Sequence, residues 1–367
     1  MNIATVFSGI GAPEFALKKN FSIFNPKIVF ACDCGECSPL DNNEVELISK
    51  IQDPIERQEN VKFLYINKRK KHWVKEVYFH NYSSMGITEE KWHDDIRFID
   101  GSLYNGAVDL FIGGSPCQSF SNMGKRGGLN DVRGTLFYDY ARLIKEIKPS
   151  VFVYENVPGM LSHDNGNTWG IIKSVFSSLG YYFDYMILNS KDFGIPQNRR
   201  RLFVVGFLKK RFFNKFTFPS KKPLQIYANY FLDNEVPLKY FLGKKGFKFV
   251  TTNHSRARIN MDIIRTEKRN QQFNWNGDFV FVPASDLKIN EEFLEKVYLD
   301  KYEGLLGAVR KMTPRECHRL MGFTDDFVIC ENDIEAYKQA GNSIVVNVIS
   351  DIINSIVKTG VFKNEKN

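Results

Sequence analysis

The 367-residue chain is 43% hydrophobic and 25% charged, long enough for one large or two medium domains with cores of their own, and is neither a coil nor a disordered tail. Its 50 Lys and Arg outnumber 42 Asp and Glu, and the resulting +8, with a pI near 9.0, points to an anionic partner such as nucleic acid or membrane lipid. No run of about 18 apolar residues is present and the N-terminus reads as strand and turn, which argues against a membrane span and a secretion signal; six irregularly spaced cysteines argue against a disulfide scaffold and for a reducing cytoplasm.

In chain order, short apolar runs at 2–7, 28–32, 108–113, 151–154, 181–188 and 202–207 alternate with helical patterns such as 135–147 and 169–179. That alternation predicts an α/β, doubly wound, mostly parallel sheet with active groups at the carboxyl ends of its strands. Residues 42–80 form an irregular, Lys-rich stretch that reads as an insertion, most clearly near 42–70. From 209 to 269 the texture turns aromatic and basic, with 15 Lys and Arg against 4 acids: a local +11 that leaves −3 for the rest of the chain. Helical patterns return at 314–321 and 345–357, so the chain is expected to leave the α/β domain and come back to it.

Chemistry is expected in the turns after the strands. Residues 7–11 (FSGIG) let the backbone approach a ligand closely, although the pattern lacks the third glycine of the dinucleotide fingerprint. Asp33 follows the second strand, where doubly wound folds place an acid on ribose hydroxyls, and Asp95-Ile96 follows a third; a helix-capping Asp would look the same. In series, the three turns suggest a nucleoside-bearing cofactor. The GGSPCQ turn at 113–118 holds Cys117 where a thiolate can act as nucleophile, with little apolar wall for a merely buried cysteine. Residues 124–128 (GKRGG) make a flexible basic loop suited to closing over a polyanion. Glu155 ends the 151–154 strand; low-dielectric walls raise a carboxylate's pKa and let it share a proton with a ring nitrogen, whereas a strand-end ion pair is the plainer alternative. A strand's period of two would put Arg199 and Arg201 on one face, fit to hold a phosphate or a carbonyl oxygen. Cys32, Cys34 and Cys37 lack a fourth partner for zinc, and no metal is expected.

These residues resemble the S-adenosylmethionine-dependent cytosine-C5 DNA methyltransferases, chiefly the bacterial modification enzymes. The match is collinear through FSGIG with Asp33, Asp95-Ile96, SPCQ at 115–118, RGTLF at 133–137, ENV at 155–157, QxRxR at 197–201, MTPRECHRLMGF at 312–323 and QAGNS at 339–343. The resemblance implies a catalytic Rossmann-like domain formed by 1–207 and 333–367 and a smaller target-recognition domain at 208–332. It implies Cys117 as nucleophile, Glu155 on the cytosine ring nitrogen, and Arg199 and Arg201 holding the base and orienting catalytic groups. Phe7, Gly9, Ile10, Asp33, Cys34, Asp95, Ile96, Pro116, Leu136, Asn342 and Ser343 would line the S-adenosylmethionine site. Gln118, Ser121, Lys125, Arg126 and Arg133, with Arg256 and Arg258 in the basic segment, would meet double-stranded DNA. The implied setting is a monomer on DNA in the cytoplasm, away from membranes, as an orphan methylase or one with a cognate restriction endonuclease encoded alongside. Two rivals stay open: the tRNA-directed branch, whose Cys-Phe-Thr signature is missing here, and a silent DNA-binding protein on the same scaffold, which would have no need to keep both Cys117 and Glu155. The Asn/Asp-Pro-Pro-aromatic turn of amino-directed methylation is missing too.

Overall fold

The computed structural model describes residues 1–115, 136–270 and 275–362. Pro116, Cys117, Gln118, Ser121, Lys125, Arg126, Arg133 and the 124–128 loop lie outside the described residues. The chain divides into two compact units: Met1–Leu188 with Arg200–Ser220 and Val348–Asn367, and Asn189–Arg199 with Lys221–Asn347.

The first unit carries strands β1 (Asn2–Val6), β2 (Lys27–Cys32), β3 (Trp92–His93), β4 (Leu110–Gly113), β5 (Val151–Asn156) and β6 (Tyr182–Asn189). The chain then makes an excursion that includes β7 (Gln197–Asn198) and returns as β8 (Arg200–Phe207). Seven of these form one sheet in the order β3-β2-β1-β4-β5-β8-β6. β3, β2, β1, β4 and β5 are mutually parallel, and β8 runs antiparallel to β5. The central strands are buried over most of their length, as a sheet covered on both faces requires. Each predicted apolar run is a strand of this sheet. Helices α1 (Ala12–Asn20), α2 (Asn42–Ser49), α3 (Pro54–Lys68), α4 (Trp73–Tyr82), α5 (Leu136–Ile147), α6 (Asn167–Ser178) and α7 (Lys210–Phe213) follow in order. The main core joins β-strand residues such as Ala4, Phe111 and Phe152 to Tyr140, Leu143 and Phe176 from α5 and α6.

Residues 42–80, expected to be irregular, are helical instead. The signals are local: Asp41 and Glu44 close a capping box on α2, and Asp53 caps α3 ahead of Pro54 at its first turn. A low density of apolar residues hid them, because only one side of α2 and α3 is buried, against Leu40 and Phe98.

The second unit holds a four-stranded sheet, ordered β12-β13-β11-β9, built from β9 (Ala257–Ile259), β11 (Gly277–Pro283), β12 (Asp300–Tyr302) and β13 (Leu305–Lys311). The short β10 (Ile264–Arg265) pairs with β7. Helices α8 (Lys244–Thr252), α9 (Glu291–Lys296), α10 (Pro314–Arg319) and α11 (Asp333–Asn342) belong here too, and α12 (Val346–Lys358) leads back into the first unit. Phe247, Val250, Ala257, Ile259, Phe279, Phe281 and Val309 make its core. Among the described residues, the helical run Asp333–Lys358 is long and apolar enough to cross a membrane, but 56% of its apolar window is buried, the pattern of a core helix.

The division differs from the expected one in three segments. Residues 189–199 join the second unit because Gln197–Asn198 pair with Ile264–Arg265 and Gln197 Nε2 donates to Leu320 O at 2.9 Å. Residues 333–347 stay there too, where Tyr337 donates to Met312 O. Residues 208–220 remain with the first, through Phe213 and Phe216 against Phe207.

Candidate active site

Five parallel strands end at the same edge of the first unit's sheet, and the exit turns of β1, β2 and β3, with Leu136 and Asp139 of α5, line a cleft of about 320 Å³. Phe7, Asp33, Cys34, Asp95, Ile96 and Leu136 all line it. The turn after β1 winds through left-handed backbone at Phe7 (φ 54°), Gly9 and Gly11. For Phe7 that conformation costs on the order of 1–2 kcal/mol, the kind of strain retained at ligand sites. Gly11 has no alternative: a Cβ there would collide with the Tyr82 ring, and Tyr82 donates to the Ile10 and Gly11 carbonyls. Ile10 itself is buried.

Gly9 N donates to Asp33 Oδ2 at 2.8 Å and Gly35 N to Oδ1 at 2.7 Å, so the Asp33 carboxylate ties the β1 and β2 turns together while facing the cleft. Asp95 is held from two sides: Arg97 forks onto both its oxygens at 2.6–3.1 Å, and Tyr65 donates to Oδ2 at 2.8 Å. Burial, then the Asp95 charge, pushes the Tyr65 hydroxyl's pKa up, so it stays a donor. Asp94 is also buried, which would raise its carboxyl, but His72 and Arg69 hold it below the ordinary value. Asp139 is pushed up by burial. Tyr65, Arg97 and Asp139 had no motif to announce them; Tyr65 comes from the insertion, whose α3 thus walls the cleft and whose α4 braces the glycine turn. The aromatic and aliphatic walls (Phe7, Tyr65, Ile96, Leu136) beside four carboxylates fit a nucleoside carrying positive charge, so the donor set suits S-adenosylmethionine.

At the end of β5, Glu155 is opposite Phe203 on β8, and Arg201 Nε reaches Glu155 Oε1 at 3.1 Å with the two side chains 18% and 16% exposed. Because β8 is antiparallel, its first residues return to the edge where β5 ends. Gly114, at the exit of β4, permits the approach: a Cβ would lie 2.7 Å from Glu155 O and 3.0 Å from Oε2. Beneath it, Ser115 Oγ and the Tyr154 hydroxyl lie 2.7 Å apart, and Asn156 Nδ2 donates to Ser115 O and to the Tyr154 hydroxyl, both at 2.9 Å. This buried network fixes the last described residue before Cys117 onto the Glu155 strand.

Arg199 does not share a strand face with Arg201. It precedes β8, belongs to the second unit and is 3% exposed, donating to the carbonyls of Glu267, Gly341 and Ser343 at 2.8–3.0 Å. A strand's period of two does not relate the two arginines because β8 begins at Arg200. Asn342 and Ser343 are in the second unit as well, the first exposed, the second buried. Arg256 and Arg258 are exposed on and beside β9, whose Ala257 and Ile259 point into the core; Lys244, Lys245 and Lys248 are exposed on α8. In the 312–323 motif, Thr313 and Glu316 form a capping box on α10, and Glu316 is fully buried in a two-bonded pair with Arg310 at 2.8 Å. Among the described residues, no group of three or more His, Cys, Asp and Glu is arranged for a metal ion.

A family model described as C-5 cytosine-specific DNA methylase matches residues 56–358. Type II methyltransferase M.SsoII of Shigella sonnei is 39% identical over 254 residues, covering 68% of this chain and 64% of that protein. M.HpaII of Haemophilus parainfluenzae is 36% identical over 262 residues (66% and 69%), and M.HhaI of Haemophilus parahaemolyticus 34% over 264 (70% and 77%). The chain therefore spans just under two thirds of the M.SsoII length. Among solved structures, the Entamoeba histolytica methyltransferase EhMeth superposes with a TM-score of 0.65 over 98% of both chains at 18% identity, a likeness of fold.

Proposed function

The chain belongs to the C-5 cytosine-specific DNA methylases, and from that premise we propose that it methylates carbon 5 of a cytosine flipped out of a specific double-stranded DNA sequence, through a covalent bond from Cys117. The observation that carries this reading is the Glu155–Arg201 pair, held at the strand edge beside Gly114 and Ser115, two residues short of the thiol. Carbon 5 of cytosine is too weak a nucleophile to take a methyl group directly. Thiolate addition at carbon 6 pushes electron density onto carbon 5 and divides one hard step into easier ones. Glu155 protonates or hydrogen-bonds ring nitrogen 3, and Arg201 donates towards the exocyclic oxygen while keeping the Glu155 carboxylate oriented. After transfer, loss of the carbon 5 proton and of Cys117 restores the aromatic ring. Phe7, Asp33, Asp95 and Ile96 would hold S-adenosylmethionine, which would supply the methyl group from a sulfonium centre. Arg199 has a positioning role, holding the chain just ahead of Arg201 through three carbonyls.

Within the second unit, residues 221–269, with 11 Lys and Arg against 4 acids and Arg256 and Arg258 outward, track DNA phosphates and carry target recognition. A stacked base hides its faces, so extrusion costs a few kcal/mol, which contacts from the 124–128 loop and Gln118, Ser121, Lys125, Arg126 and Arg133 offset. The setting we infer is a cytoplasmic monomer, acting as an orphan methylase or beside a restriction endonuclease.

Duplex DNA carrying 5-fluorocytosine at the target should trap a protein–DNA adduct, since fluorine blocks the elimination. Active enzyme that forms no adduct would overturn the covalent route. Bisulfite sequencing of DNA from expressing cells identifies the site, and methylation of tRNA in place of DNA would move the substrate to the RNA-directed branch.

A further inference from the structure

The turn leaving β2 reads Cys34-Gly35-Glu36-Cys37, and none of the chemistry above uses its thiols. Cys34 lines the cofactor cleft; Cys37 does not, and both are partly exposed, unlike Cys32, Cys317 and Cys330, which are buried. Cys34 Sγ donates to Gly35 O at 3.5 Å, and Cys37 Sγ donates to Cys34 O at 3.1 Å, so the second sulfur lies against the first cysteine's own backbone. Arg69 is set beside them: Nη1 donates to Cys34 O at 2.9 Å, Nη2 is ion-paired with Asp94, and its side chain is 9% exposed. This cation is fixed by its neighbours at the backbone of the turn that carries the two thiols. The Cys34 contact and the Arg69 charge bring Cys37 down to about 7, whereas the same contact, with burial, pushes Cys34 up. A thiol that ionises more readily than an ordinary cysteine therefore sits in one turn with a thiol that stays protonated, the pairing needed for an attacking and a resolving sulfur.

We propose that Cys34 and Cys37 form a redox-active dithiol, oxidised by hydroperoxides to an intramolecular disulfide that weakens cofactor binding in the cleft Cys34 lines. The Cys37 thiolate attacks a peroxide oxygen; the S–O bond forms, the O–O bond breaks, and hydroxide leaves and is protonated to water. The Cys34 sulfur then attacks the sulfenic acid, forming S–S and expelling the hydroxyl group, which departs with the Cys34 proton as a second water. Two thiols are oxidised and one hydroperoxide is reduced. The effect on the cleft follows from Asp33, the residue before Cys34, whose carboxylate holds Gly9 N and Gly35 N: drawing the Cys34 sulfur onto Cys37 tightens that turn and displaces those contacts. The consequence for ligand rests on the reading of the cleft as the S-adenosylmethionine site; the dithiol chemistry does not.

The test treats the full-length protein with hydrogen peroxide, alkylates it, and maps peptides by mass. The expected result is a linked peptide about 2 Da lighter, spanning residues 34 and 37, reversed by dithiothreitol and missing from Cys37→Ser. Calorimetry with S-adenosylmethionine should show the oxidised wild type binding about tenfold or more weakly, with Cys37→Ser binding equally well before and after peroxide. Full alkylation of both cysteines after peroxide overturns the proposal, as does a disulfide that leaves affinity unchanged. If the reduced wild type does not bind S-adenosylmethionine, the cleft reading fails, and the mass map alone still decides the dithiol.

Discussion

Two Arg–Glu pairs of similar chemistry show how differently the molecule uses charge. In the second unit, Arg310 and Glu316 are 3% and 0% exposed, and both carboxylate oxygens are filled: Oε1 accepts from Arg310 and Asp233 N, Oε2 from Arg310 and Thr313 N. Such a pair is a fastener joining β13, the 233 segment and α10. In the first unit, Arg201 and Glu155 meet at 3.1 Å and remain 18% and 16% exposed at the strand edge. A carboxylate left accessible beside a guanidinium keeps the capacity to bind a ring nitrogen and exchange a proton with it. Saturation and burial suit the first pair to a structural role; partial exposure at the carboxyl end of β5 suits the second to the role proposed for it.

This contrast can be broken by experiment. Glu155→Gln should slow methyl transfer by about 10²–10⁴-fold while DNA affinity changes by no more than about threefold. Equal losses in rate and binding would place Glu155 with Glu316 as a fastener. Glu316→Gln should cost about 3–5 kcal/mol in urea unfolding because Arg310 is left buried without its counter-charge, whereas Arg201→Met should cost under about 1 kcal/mol and still depress the rate. Comparable destabilisation by the two would erase the distinction. Tyr65→Phe removes one donor to Asp95 and should weaken S-adenosylmethionine binding about fivefold, near 1 kcal/mol, in calorimetry with little effect on DNA affinity. Arg258→Ala should lower the slope of log K for nonspecific duplex against log salt by about 1, with a smaller change in rate; an unchanged slope would remove β9 from the DNA-tracking surface.

Much of this was legible along the chain because its signals are local. Apolar runs marked the six main strands; for β1, β2, β4, β5 and β8 the reason is that a strand buried on both faces must be apolar whatever its partners, whereas β6 is mostly exposed and was marked by composition alone. The strand-end turns placed Phe7, Asp33, Cys34, Asp95 and Ile96 on one cleft because parallel strands deliver their exits to one edge. The helices of 42–82 were missed although their caps were present, because apolar periodicity is weak where only one side of a helix is covered.

By itself, then, the sequence determined the order of strands along the chain, the strand-end turns that line the cleft and the location of the basic segment, all of which depend on neighbouring residues and on charge. Only the tertiary structure decided that Arg199 and Arg201 part company, that Tyr65 crosses from an insertion to hold Asp95, that Ser115 is locked to Tyr154 and Asn156, and that Arg69 donates to the Cys34 carbonyl in the turn that carries Cys34 and Cys37. Each of these depends on a contact across tens of residues of chain, where spacing no longer constrains geometry and burial, close approach and unfilled hydrogen bonds choose the partner.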